Sequence, residues 1–229
     1  MLSQKLNPQQ LEAVQYSEGP LMVVAGAGSG KTRVIANRIA YLIQEKEISP
    51  ENILAITFTN KAAAEMLERV RTMLDPSYSF WISTFHSFCL KILRLHIATL
   101  GYKNDFVIYD RQDQLSVVKH CMKNLKFSEE VFPPKTMIGH IGDFKNKFIL
   151  PEDIDLNGFS YDTRLKAGEL YPHYQKALQK NNALDFDDLL ILSVQLFEKD
   201  DSIREYYNNR FTHLLWMNSR TLTPHNTGS

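Results

Sequence analysis

Apolar positions along this chain fall into two alternating kinds. Short continuous runs occur at Leu21–Ala25, Ile53–Phe58 and Phe80–Ser83, each of strand length. After each comes a stretch with apolar residues three and four apart, the spacing of one helix face. These stretches predict helices over 31–44, 60–74 and 85–100. Runs without polar alternation suit strands buried on both faces, and strand–helix alternation suits a parallel α/β sheet. A short helix over 8–16 is predicted upstream, opened by Asn7-Pro8 as cap and first-turn proline. The rhythm then changes. From Asp110 to Asn182 the pattern is helical, broken by Pro133-Pro134, Pro151 and Asn157-Gly158, with no strand signal. A helix over 186–198 follows, and Phe211–Trp216 reads as a strand returning to the sheet. The expected architecture is a parallel sheet in residues 1–109 and 183–216, interrupted by an all-helical segment at 110–182.

Composition narrows this picture. The 229 residues allow one large or two small domains. Charge is balanced, 26 basic against 26 acidic, so any nucleic-acid contact rests on a local groove. Cys89 and Cys121 are too few for a disulfide scaffold and fit buried thiols of a reduced, cytoplasmic chain. No apolar run approaches the roughly 20 residues of a membrane span, and residues 1–15 do not read as a signal peptide.

The first strand–helix junction carries chemistry. Ala25-Gly26-Ala27-Gly28-Ser29-Gly30-Lys31-Thr32 is a phosphate-binding P-loop, with Ala25 in place of the usual first glycine. Its glycines let backbone N–H groups converge on phosphate oxygens at a helix N-terminus. Lys31 reaches the β- and γ-phosphates, and Thr32 ligates Mg²⁺. The cofactors expected are therefore ATP and Mg²⁺. A P-loop alone does not choose among kinases, GTPases, transporters and motors.

Further strings choose. Leu6-Asn7-Pro8-Gln9-Gln10 precedes the loop. Ala55-Ile56-Thr57-Phe58-Thr59-Asn60-Lys61-Ala62-Ala63-Ala64-Glu65-Met66 and Ile82-Ser83-Thr84-Phe85-His86-Ser87-Phe88-Cys89 lie at strand ends. Ala183-Leu184-Asp185-Phe186-Asp187-Asp188-Leu189-Leu190 follows the helical segment. In this order they resemble the motifs of UvrD/Rep-type superfamily 1 DNA helicases, from Leu6 to about Trp216. The resemblance implies a RecA-like P-loop fold with an inserted helical subdomain, and ATP-driven 3′–5′ unwinding in DNA repair. It implies that Gln10 bonds adenine and that Arg33 lies against its ring. It places Thr57, Phe58, Thr59 and Asn60, then Thr84, Phe85 and His86, on single-stranded DNA, with strand junctions as the substrate. Without the resemblance Phe58 would read as core, and His86 serves equally as a helix cap. The acids Asp185, Asp187 and Asp188 suit a helix start better than a metal, with Asp185 as N-cap. Residues 111–150 carry seven Lys/Arg against four Asp/Glu, a mild basic excess.

The resemblance breaks after Leu215. The family continues into Val-Asp-Glu-Phe-Gln-Asp-Thr-Asn, whose acids hold Mg²⁺ and orient water. Here Trp216-Met217-Asn218 and the rest of 216–229 contain no Asp or Glu. Read one nucleotide earlier, codons for Trp216 to Asn226 permit the missing motif. Residues 217–229 are thus expected to be an out-of-frame tail, and turnover to be absent. Two other readings are a non-enzymatic nucleotide- and DNA-binding remnant and a helicase–nuclease subunit.

Overall fold

The computed structural model describes residues 6–17, 19–26, 28–154 and 162–218. In chain order the described elements are α1 (Pro8–Gln15), α2 (Lys31–Gln44), β1 (Ile53–Thr57), α3 (Asn60–Met73), β2 (Trp81–Thr84), α4 (Phe85–His96), β3 (Val107–Ile108), α5 (Arg111–Asn124), α6 (Pro134–Asn146), α7 (Thr163–Lys180), β4 (Ala183–Leu184), α8 (Asp188–Lys199), α9 (Asp201–Arg210) and β5 (His213–Met217). They divide into two compact units, one drawn from residues 1–87 and 204–229, the other from 88–203. The division falls within α4 and α9.

The first unit is built on a parallel sheet ordered β2-β1-β5. Central β1 is buried at all five positions, as its unbroken apolar run requires. Ala55 pairs with Ile82 on one side and Leu215 on the other. Helices α2 and α3 bring Ala36, Ile39, Met66 and Val70 against Ile53, Ala55 and Met217, and these form the unit's core. Ahead of them α1 opens with a reciprocal cap. Asn7 Oδ1 accepts from the Gln10 amide at 2.8 Å, and Gln10 Oε1 accepts from the Asn7 amide at 3.1 Å. At its other end the Arg38 guanidinium of α2 donates to the carbonyls of Ala13, Val14 and Tyr16. These carbonyls have no partner within α1, so Arg38 fastens the helix to α2. Burial lowers the Arg38 pKa from its ordinary value.

One expected strand does not form. Leu21–Ala25 lies outside any ladder, and Met22 and Val24 are 83% and 72% exposed. A strand exists only through a neighbour, and among the described residues β5 pairs with β1 alone. An apolar run proposes a strand but cannot supply its partner.

The second unit is mainly helical. Helices α5, α6 and α7 enclose a core that includes Val118, Met122, Met137, Ile141, Phe144, Leu170 and Tyr174. Phe144 stacks on Tyr171 with centroids 6.2 Å apart. Asp110 caps α5 and Asp162 caps α7 through paired backbone amides. Two-residue strands β3 and β4 pair in parallel, Val107 with Ala183 and Ile108 with Leu184. They tie together the two ends of the α5–α7 stretch. The predicted Asn157-Gly158 break lies outside the described residues.

Inside this unit sits a buried charge cluster. Lys145 of α6 has a fully buried side chain. Its ammonium lies 2.6 Å from Asp185 Oδ2 and 2.7 Å from Asp188 Oδ1. Tyr174 donates to Asp185 and Gln175 to Asp188. Asp185 Oδ1 accepts from the Asp188 amide, and Asp188 Oδ2 accepts from the Asp185 amide, both at 3.0 Å. Asp185 therefore holds the first turn of α8, although the N-cap position itself belongs to Asp187. Desolvation opposes the charge on Lys145, but the facing carboxylates prevail and raise its pKa. Burial pushes the Asp188 carboxyl up to about 6 against the pull of Lys145.

Candidate functional site

The loop of residues 25–30 is shaped by its glycines. Gly28 and Gly30 have φ of +76° and +87°, the left-handed region that L-residues adopt at a cost. Gly30 is the N-cap of α2 and supplies no side-chain cap to the helix amides. Those amides and the helix dipole face the loop, an arrangement that favours an anion. Lys31 folds back over the loop. Its ammonium donates to the carbonyls of Ala25 at 2.9 Å and Gly26 at 2.7 Å. The Lys31 side chain is part-buried at its contact with Ala25. Ala27 lies outside the described residues.

Gln10 reaches this loop from α1. Its Nε2 donates to the Ser29 carbonyl at 2.9 Å, and its Oε1 accepts from Arg33 Nη2 at 3.2 Å. A β-carbon on Gly30 would stand 3.2 Å from Gln10 Nε2 and 3.3 Å from Arg33 Nη2. Gln10, Gly30 and Arg33 are therefore packed at contact. The sequence suggested these three separately, and folding brings them together.

Thr32 points at the end of β5. Its Oγ1 lies 3.7 Å from the Met217 sulfur, and Met217 is 5% exposed. Sequence reasoning did not foresee this pairing, because residues 185 apart share no local signal. Met217 pairs with Thr57 at the sheet end. Thr57 is fully buried, and its hydroxyl has no hydrogen-bond partner. Such an atom is costly unless something outside the described chain satisfies it.

The remaining predicted residues cluster at the same ends of the strands. Phe58 is 46% exposed. Thr59 caps α3 by accepting from the Ala62 amide, and Asn60 opens that helix in the open. Thr84 is buried, and its hydroxyl meets Ser87 at 2.9 Å. Phe85 begins α4 partly exposed, with His86 half-buried beside it. Of the acids in the Asp185 string, Asp185 and Asp188 belong to the second unit's buried cluster, while Asp187 is partly buried at the N-cap of α8. Residues 219–229, and with them most of the expected out-of-frame tail, lie outside the described residues. No helix among the described residues is long and apolar enough to cross a membrane.

Comparison with known proteins bears on the family. Residues 6–216 match the family described as UvrD/REP helicase N-terminal domain. The chain is 46% identical over 210 residues to the ATP-dependent DNA helicase PcrA of Staphylococcus aureus. It is 47% identical over 211 residues to the protein of the same name in Bacillus subtilis. Each match covers 91% of this chain but only 29% and 28% of those relatives, so the chain spans less than a third of their length. A match from Leu6, ahead of α1, to the last-but-one residue of β5 leaves one conclusion about kinship: the chain belongs to the UvrD/REP helicase N-terminal domain family.

Proposed function

We propose that this chain is the nucleotide- and single-strand-binding N-terminal part of an ATP-dependent 3′–5′ DNA helicase. Its RecA-like P-loop domain spans 1–109 and 183–216, and 110–182 forms an inserted helical subdomain. The observation that carries this reading is the convergence of Gln10, Gly30, Lys31 and Arg33 around one loop. An adenine fits the Gln10 amide and the flat Arg33 guanidinium. Phosphates fit the left-handed glycines, the uncapped α2 amides and the Lys31 ammonium. Lys31 then exchanges two neutral carbonyls for an anion.

The donor set for Mg²⁺ is poorer. Thr32 offers a hydroxyl, but its neighbour on β5 is the Met217 thioether, a soft donor that a hard cation does not select. Residues 216–229 contain no Asp or Glu to take that place or to orient water. Binding without turnover is therefore the expected behaviour of this polypeptide. On the DNA side, Thr59, Asn60 and the α3 amides suit phosphate, while Phe58 and Phe85 suit bases. Duplex junctions would be the substrate of the whole motor.

Calorimetric titration with ATP and Mg²⁺ tests the proposal. Wild type should bind weakly, and Lys31→Ala should abolish binding. Equal affinity in both would remove Lys31 from the site. A single-turnover assay should show no DNA-stimulated hydrolysis. Hydrolysis lost in Lys31→Ala would mean that an acid assigned here to structure does the chemistry.

A further inference from the structure

Three aromatic rings meet at one end of the sheet, and only two belong to the motifs. Phe58 follows β1, Phe85 opens α4, and Trp216 lies one residue before the end of β5. The centroid of Phe58 is 6.1 Å from those of Phe85 and Trp216, and Phe85 and Trp216 are 6.2 Å apart. Trp216 is 57% exposed, more than either phenylalanine. Strand alternation explains its outward position. Ile53, Ala55 and Met217 lie in the α2–α3 core, so Trp216, paired with Ile56, stands on the opposite face.

The rim of this patch is positive. Exposed Thr59, Asn60 and Lys61 begin α3, and neither α3 nor α4 has an acid in its first turn. Two positive helix ends and a lysine therefore border three partly exposed rings. A protein partner of apolar character would need the rings but not that rim. A chain of flat bases joined by phosphates uses both. We propose that Trp216 is a further base-stacking residue, completing with Phe58 and Phe85 a three-ring platform for an unpaired nucleic-acid strand. This rests on the single-strand reading above and extends it to Trp216, which stands where the family's string has Val.

The test uses the full chain and a short labelled oligothymidylate. Trp81 and Trp216 are the only tryptophans, so Trp81→Phe leaves Trp216 as sole reporter. Oligothymidylate should quench its emission. An abasic oligomer of equal length should bind more weakly and leave the emission unchanged. By anisotropy, Trp216→Val should lose about 5- to 100-fold in affinity, and Trp216→Phe should recover most of it. Undiminished binding to a folded Trp216→Val, without quenching in the reporter, would remove Trp216 and leave the DNA reading standing. Failure of wild type to bind the oligomer at low salt would sink both. A monomer–dimer equilibrium that disappears in Trp216→Val, with DNA affinity unchanged, would instead make the patch a self-association face and overturn the proposal.

Discussion

Two lysine side chains show how differently the two units use a positive charge. Lys145, in the 88–203 unit, is fully buried and meets two carboxylates at 2.6 and 2.7 Å. Its partners are in turn held by Tyr174, Gln175 and backbone amides. Lys31, in the other unit, donates among the described residues to two loop carbonyls. The first charge is neutralised by fixed opposite charges and has nothing left to offer. The second is solvated by dipoles that a phosphate can outbid. A saturated lysine organises a fold, whereas one bonded only to neutral carbonyls keeps a charge that a ligand could use.

Removing each charge should sharpen the contrast. Lys145→Met leaves two buried carboxylates facing each other, and should cost about 3–5 kcal/mol in denaturant unfolding. Its pH dependence has a definite sign. Without Lys145 the Asp188 carboxyl should rise above its present value of about 6. The folded variant then holds that proton more tightly than the unfolded chain does. The loss should be complete above the raised pKa and shrink as pH falls toward about 4. A loss independent of pH would show that packing, not charge, makes Lys145 necessary.

A smaller effect is expected at the loop. Gly30→Ala puts an L-residue at φ +87° and a β-carbon 3.2 Å from Gln10. It should cost about 1–2 kcal/mol of stability and weaken nucleotide binding through displaced Gln10 and Arg33. Smallest of all, Lys31→Met should shift stability by less than about 0.5 kcal/mol while removing nucleotide affinity. A large stability loss there would make Lys31 a second Lys145 and dissolve the comparison.

The helices were legible because their signals are local. Asn7-Pro8 and the 31–44 periodicity give α1 and α2 within a residue at either end. Central β1 was equally clear, since burial on both faces writes itself as an unbroken apolar run. Leu21–Ala25 carries the same signature, yet its strand depends on a neighbour that the run cannot specify. Helix α9 went unforeseen because its charged and aromatic residues give little apolar periodicity. At the candidate site, the loop and Gln10 were visible as strings, but the meeting of Thr32 with Met217 was not. Lys145 reads like any helical lysine, because its burial is decided by Asp185 and Asp188, forty residues on.

The brief pairing of β3 with β4 has a consequence for how this chain can change length. Hydrogen bonds from the Val107 and Tyr109 amides to the carbonyls of Asn182 and Leu184 close the intervening stretch into a loop. Loop-closure entropy grows only with the logarithm of length, so doubling such a loop costs about 0.6 kcal/mol. Residues added to the connections between α5, α6 and α7 therefore cost little in chain closure, whereas the helices themselves hold Lys145, Tyr174 and Gln175 against Asp185 and Asp188 outside the clasp. The same change made between Gly30 and Thr32 would move the atoms that Gln10 and Arg33 grip. Growth is cheap on one side of a two-residue ladder and prohibitive around a six-residue loop.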